Sequence, residues 1–411
     1  MTSASPSVSY RPLFTLPVIV AALGYFVDVY DLLLFNIVRV PSLKDLGLDE
    51  KQVSVVGGTV LNWQQAGLLI GGILWGILGD KRGRLSVLFG SIITYSVANI
   101  ACGFVQDANI YAVLRFVAGL GLAGELGAGI TLVSEILPKE LRGYGTSLIA
   151  GVGLFGAVVA YFTVVLFDWR TTYFIGGGLG LLLLLLRVSV FESGMFLKIK
   201  EQTVQRGNFW SLFSNRKRFL TYLRCMGLAV PTYFVIGILA TFSNEFGKAL
   251  GIAEPIAPGR VVMFTYIGMA VGDLVSGPLS QWFHSRRQAI GALMAMNLVF
   301  VAVYLFAGIS SIPVFYAVCV GLGFSIGYIA LFLTVSAEHF GTNLRATATT
   351  SIANNVRATT LLTIPLFQAL KVSFGVIQAA ALVGAICFVI SFWSLLTLDE
   401  TYGKDLNYTE P

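Results

Sequence analysis

Residues 24–36 read GYFVDVYDLLLFN, and two aspartates, Asp28 and Asp31, stand three positions apart in a run otherwise suited to hydrocarbon. That spacing puts both carboxylates on one face of a helix. A third acid, Glu125, lies in RFVAGLGLAGELGAG, residues 115–129, which opens with Arg115. Much later, SIANNVRATTLL, residues 351–362, holds Arg357 with Asn354 one turn before it. A carboxylate at mid-bilayer costs roughly 2.5–3.5 kcal/mol on insertion scales, so three cost on the order of 8–10 kcal/mol if simply added. Such groups persist where they pair or where they face a wet cavity. Two chemistries follow. A carboxylate in a partly desolvated cavity can load and release a proton, which makes Asp31, Glu125 and Asp28 candidates for proton coupling. Arg115 either pairs with one of the aspartates and locks helices 1 and 4, or is the partner whose approach and withdrawal switch their proton affinity. An arginine at the depth of Arg357 stays charged and offers a planar fork that fits a carboxylate, so it can anchor an anionic ligand. The competing roles for Arg357 are an internal ion pair with Asp273 or with an acid of the first half.

These charges need elements to hold them. The chain has 411 residues, 56% hydrophobic and 12% charged, a balance foreign to soluble proteins. Apolar runs long enough to cross about 30 Å of hydrocarbon as helix recur throughout. Twelve can be marked, from 14–38, 53–78, 86–105, 110–134, 145–167 and 171–191 to 220–243, 261–283, 289–308, 313–336, 347–370 and 375–397. Alternating strand patterning is absent, so the expected fold is an all-α membrane protein with spans that satisfy their own backbone hydrogen bonds. The 45 glycines suit closely packed membrane helices. The first run is too long for a removable signal. Cys102, Cys225, Cys319 and Cys387 show no paired spacing, and neither they nor the two histidines suggest a metal site. The net charge of +6 concentrates in the connectors of one side, which reads as topology rather than as a nucleic-acid surface. Both termini are accordingly expected in the cytoplasm. The basic connector near 192–219 either fixes orientation or meets lipid headgroups. It divides the chain into bundles at 1–191 and 220–398, with a tail at 399–411.

SEILPKELRGYGTS after span 4 and AEHFGTNLRATATTS after span 10 each place Glu and Arg seven residues apart, as Glu135 with Arg142 and Glu338 with Arg345. A repeat over half the chain implies two similar six-helix bundles with a site between them. After span 2, GILGDKRGRL supplies Gly76 for close contact, Asp80 as an acceptor, Gly83 within the motif, and Lys81, Arg82 and Arg84 at the cytoplasmic surface. After span 8, GPLSQWFHSRR is a degraded copy with Gln281 where an acid would stand. Such loops are expected to latch the bundles on one side. Mid-span Asn36, Asn62, Trp63, Gln64, Tyr233 and Tyr328 are candidates to line the cavity.

The twelve spans, the repeat and the motif at 76–85 resemble the major facilitator superfamily over essentially the whole chain. DVYDLLLF resembles the helix 1 signature of its metabolite:proton symporters, and the segment from Arg115 to Gly129 resembles their helix 4 motif. FESGMFLK (191–198) and DETYGKDL (399–406) resemble the tags that end each half there and in the related sugar porters, with Phe191 and Asp399 replacing prolines. The resemblance implies proton-coupled uptake of a small organic acid or zwitterion by alternating access. A functional monomer in a bacterial inner membrane, with the proton gradient in place of any cofactor, is the simplest form. One departure stands out: Leu68-Leu69 occupies the place of an Arg-Pro pair common in that family, which leaves a substrate without a carboxylate open. A neutral sugar or polyol carrier and a proton-antiport exporter are the alternatives. The first lacks the Gln-Gln pair expected in helix 7, and the second lacks a Gly-Pro-x-x-Gly-Gly motif in helix 5. No P-loop, paired metal ligands or nucleophile elbow points to an enzyme.

Overall fold

The computed structural model describes residues 10–188 and 207–410, and every regular element among them is helical. The first half runs α1 (Leu16–Asp45), α2 (Glu50–Arg82), α3 (Arg84–Gly103), α4 (Ala108–Ile136), α5 (Arg142–Leu166) and α6 (Trp169–Arg187). The second runs α7 (Arg216–Leu228 with Val230–Ala240), α8 (Pro258–Trp282), α9 (Arg286–Phe306), α10 (Ile312–His339), α11 (Arg345–Asn355, Arg357–Thr359 and Thr360–Phe374) and α12 (Val376–Thr397). Among the described residues, nine of these are long and apolar enough to cross a bilayer, and α7, bent by 42° at Ala229, makes ten. The remaining two, α2 and α11, are the helices that pack on each other across the halves. α2 carries Asn62, Gln64 and Gln65 in its middle, and α11 is divided by its break into shorter segments. The tag at 191–198 and much of the basic connector lie outside the described residues.

Local chemistry starts the helices. Asp49 accepts from the Gln52 N–H at 2.8 Å and Gln52 answers the Asp49 N–H, a reciprocal cap on α2. Asp107 and Asp168 cap α4 and α6, and Asn215 and Ser285 cap α7 and α9. The helices overrun the expected spans because their ends project beyond hydrocarbon. Thus α1 continues past Val38 to Asp45, carrying Arg39 and Lys44 into the aqueous boundary.

Five helices are interrupted: α4 at Ala123 and Gly124, α5 at Phe155, α7 at Ala229, α10 at Gly327 and Tyr328, and α11 around Arg357. Two seams join the halves, α2 with α11 and α5 with α8. At the first, a Cβ on Gly76 would stand 2.8 Å from the Cα of Thr347. At the second, a Cβ on Gly277 would meet the Gly143 carbonyl oxygen and the Ser147 hydroxyl. Only glycine permits either approach.

Closure is one-sided. In α11, every residue from Arg345 to Asn354 is buried, whereas of Thr360–Phe374 only Phe367 is. In α10, Ile329 through Glu338 are all buried as well. The bundles are therefore pressed together at the end that carries residues 80–84, here called the latch face, and parted at the other.

Candidate functional site

Between the halves lies a cavity of about 460 Å³. Tyr25, Leu32 and Asn36 of α1 and Leu61, Asn62, Gln64, Gln65 and Leu68 of α2 form one wall. Tyr233, Tyr266, Ile329 and Arg357 form the other. The α2 positions follow an i, i+3, i+4, i+7 pattern, one face of a helix. All lining residues fall in the half of their helices away from the latch face, or at its border. The cavity is thus shut toward the latch and opens the opposite way.

Arg357 is the cavity's one cation among the described residues. Its Nε donates to the Tyr233 hydroxyl at 3.3 Å, and its two terminal amino groups have no acceptor among the described residues. Among the described residues no carboxylate stands within ion-pair distance of it. Asp273 is occupied elsewhere, accepting from the Ala330 N–H at 3.0 Å where α10 breaks. That geometry leaves a delocalised charge, fixed by a tyrosine, aimed at a space the size of a small molecule.

Three expected lining residues lie elsewhere. Asn354 points into the α2–α4 seam, where it donates to the Ala123 carbonyl at 3.0 Å and answers the group freed by the break in α4. Trp63 sits off the inward face of α2, 46% exposed and edge-on to Phe116 at 5.8 Å between ring centres. Tyr328 is buried at the break in α10 and donates to the Leu228 carbonyl at 3.1 Å, beside the bend in α7. Asn36, Gln64 and Tyr233 do line the cavity, with Gln64 also donating to the Leu32 carbonyl at 3.1 Å. Tyr25, Gln65 and Tyr266 were not singled out from sequence, although Gln65 falls in the same α2 stripe.

The acids divide. Glu125 forms an ion pair with Arg187 at the latch end of α6, and the Ser91 hydroxyl also donates to it, at 3.2 Å. Arg187 further donates to the Leu88 carbonyl at 3.0 Å. The signal for Arg187 in the sequence is an arginine closing an apolar run. Arg115 does not ion-pair with either aspartate. It donates to the Asn99 side-chain oxygen and lies over the Tyr173 ring at 4.9 Å. Asp31 is fully buried, with Asn99 and Arg115 as its polar neighbours and no ion pair among the described residues. Asp28 is 1% exposed, one of its oxygens is also unpartnered, and Arg357 and Glu125 act on it electrostatically.

At the latch face Asp80 accepts from the Ala346 and Thr347 N–H groups at 3.1 and 2.8 Å, capping α11 from the other half. Arg84 pairs with Glu135 at 2.8 Å, and Arg345 reaches across to the same oxygen of Glu135 at 2.9 Å. Gly83, at φ 108°, turns the chain between α2 and α3. Arg82 is exposed and forms no ion pair among the described residues. Glu338 pairs with Arg286 at 3.2 Å, while Arg142 donates to the Lys404 carbonyl at 2.9 Å. The Glu and Arg of each repeated motif therefore do not pair with one another. Just past α12, burial alone would push the Glu400 carboxyl up. The Ser285 hydroxyl and the N–H groups of Tyr402, Arg286 and Arg287 donate to it and hold it below its usual 4.5.

A model of the Major Facilitator Superfamily matches residues 21–359. The chain belongs to the major facilitator superfamily. A putative metabolite transport protein of Haemophilus influenzae is 26% identical over 94% of this chain and 96% of its own length. The gentisate transporter of Corynebacterium glutamicum is 25% identical over 78% of this chain and 73% of its own. A structure of the proton:xylose symporter XylE superposes with a TM-score of 0.76 at 18% identity, covering 98% of this chain and 99% of that one. The facilitator fold, two six-helix bundles, is thus the fold of this chain. It is a multi-pass membrane transporter acting on small molecules, and not an enzyme.

Proposed function

We propose that this facilitator carries out proton-coupled uptake of a small organic anion, with Arg357 as the anchor for the substrate's carboxylate. The observation that carries this reading is the Arg357 guanidinium in the cavity wall, held by Tyr233 and without a carboxylate partner among the described residues. A permanent charge kept unpaired at that depth costs free energy unless a ligand answers it. Asn36, Asn62, Gln64 and Gln65 across the cavity supply donors and acceptors for the remainder of a small polar molecule. The named activity of the gentisate transporter, whose substrate is an organic acid, agrees with this. Asp31 is the proton carrier in the proposal: buried, without an ion-pair partner among the described residues, and within the field of Arg115. The basic latch face lies in the cytoplasm of a bacterial inner membrane by the positive-inside rule, so the cavity faces outward. One chain completes the cavity, so a monomer suffices.

The test is uptake by purified protein in liposomes under an imposed pH gradient. Replacing Arg357 with Ala should weaken affinity for a carboxylate substrate about 10- to 100-fold, the loss of one charge-assisted hydrogen-bonding group, with Lys restoring part. Affinity unchanged in Arg357→Ala removes the anchor role, and uptake of neutral sugars alone would favour a sugar carrier. Asp31→Asn should abolish accumulation against a gradient while substrate exchange continues. Full proton-driven accumulation in that variant would move the coupling role elsewhere.

A further inference from the structure

The two seams of the latch face are not fastened alike. At the α2–α11 seam Asp80 caps the start of α11, and Glu135 joins Arg84 to Arg345 across the halves. The matching seam, α5 with α8, has Gln281 in the place of Asp80. No side chain caps the start of α5, and the Gln281 amide nitrogen near Gly143 has no acceptor. Across this seam Ser147 meets Ser276 hydroxyl to hydroxyl at 3.2 Å, and beside it the Thr334 hydroxyl of α10 donates to that of Thr146 at 2.8 Å. Arg142, the counterpart of Arg345, forms no ion pair with Glu338. By the symmetry of the fold this seam should part first.

The chain after α12 lies over that weakness. The Tyr402 hydroxyl donates to the Gln281 side-chain oxygen at 2.8 Å, and Arg142 of the first half donates to the Lys404 carbonyl at 2.9 Å. Next, the Leu406 carbonyl accepts from Arg345 at 2.6 Å and from the Thr342 hydroxyl at 3.1 Å. Glu410 pairs with Arg218 at 3.3 Å, and its N–H donates to the Asn343 side-chain oxygen at 2.8 Å. Leu406 is fully buried. The tail is thus fixed along the second half and grips the first half through Arg142.

We infer that residues 402–410 form a strap that takes over the fastening lost with the acid at position 281, and that the strap holds the latch face closed. Opening that face draws α5 away from α8 and must break the bond from Arg142 to the Lys404 carbonyl. The strap therefore biases the equilibrium between the two cavity orientations without touching substrate. This holds whatever the substrate's charge.

The experiment places spin labels at Lys139→Cys and His284→Cys, both exposed at the latch face on opposite halves, and measures their separation in detergent-purified protein. Ending the chain after Gly403 should enlarge the long-distance, latch-open population roughly tenfold relative to the closed one, the effect of losing one or two charge-assisted bonds. Adding Gln281→Asp to the shortened chain should restore the short distance, because a carboxylate there can cap α5 as Asp80 caps α11. An unchanged distance distribution in a monodisperse shortened chain overturns the strap. If the shortened chain does not fold, Tyr402→Phe in the intact chain decides instead. A smaller shift toward the open population supports the strap, and no shift refutes it.

Discussion

Taking Arg187 away leaves the buried Glu125 carboxyl without its ion-pair partner. Arg187→Met should therefore destabilise the protein by about 3–5 kcal/mol, visible as a lowered unfolding temperature in detergent. Glu125→Leu combined with Arg187→Met should recover most of that loss, because two apolar groups need no partner. Proton-driven uptake retained in the double variant would assign the pair to holding α4, α6 and Gly24 of α1 together. Its loss, with folding intact, would return Glu125 to the coupling machinery. Charges of this kind are legible in sequence because an acid or arginine inside an apolar run is visible without any structure. Asp28, Asp31, Glu125 and Arg357 were found that way. Their partners were not, since pairing depends on how helices distant in sequence pack. Arg115 found Asn99 instead of an aspartate, and Glu125 found Arg187, 62 residues away.

Breaks in the helices decide which residues face the cavity, and the sequence carries little sign of them. α10 parts at Gly327 and Tyr328 without a proline, and α11 parts around Arg357 without one. Polar side chains close the exposed backbone groups: Asn354 at α4, Tyr328 at α7, Asp273 at α10. Asn354 and Tyr328 are types that read as site chemistry yet close backbone groups here, while Asp273 has the structural role its position suggested. Span existence was legible from hydropathy alone, but helix phase at a bend was not, which is why Trp63 and Tyr328 were expected in the cavity. Asp273 offers a direct check. Asp273→Ala leaves the Ala330 N–H buried without an acceptor and should cost about 1–3 kcal/mol of stability. Asp273→Asn keeps an acceptor and should cost little, with uptake and its pH dependence unchanged. A strong loss of proton coupling in the Asn variant, with stability intact, would show that the charge itself is used.

Alternation between two cavity orientations requires that the latch face close as tightly as it does here and also let go. Tightness comes from glycine: at Gly76 the helices approach until a Cβ would stand 2.8 Å from the Thr347 Cα. Release is eased because the closed seam buries hydroxyls without partners among the described residues, Thr349 and Thr350 among them, which regain water on opening. The balance between the two states is therefore small, and a wedge should tip it. Gly76→Leu cannot be accommodated without parting α2 from α11, and Asp80 would then lose the Ala346 and Thr347 N–H groups together. The variant should be stable yet held with the latch face open, so that a thiol reagent supplied on that side labels Thr347→Cys, which is buried in the parent chain. Transport should fall to background while Arg357 and its cavity remain intact. A Gly76→Leu protein that still cycles at the parent rate would mean that the seam closes less tightly in operation than its geometry requires, and that the latch does not gate transport.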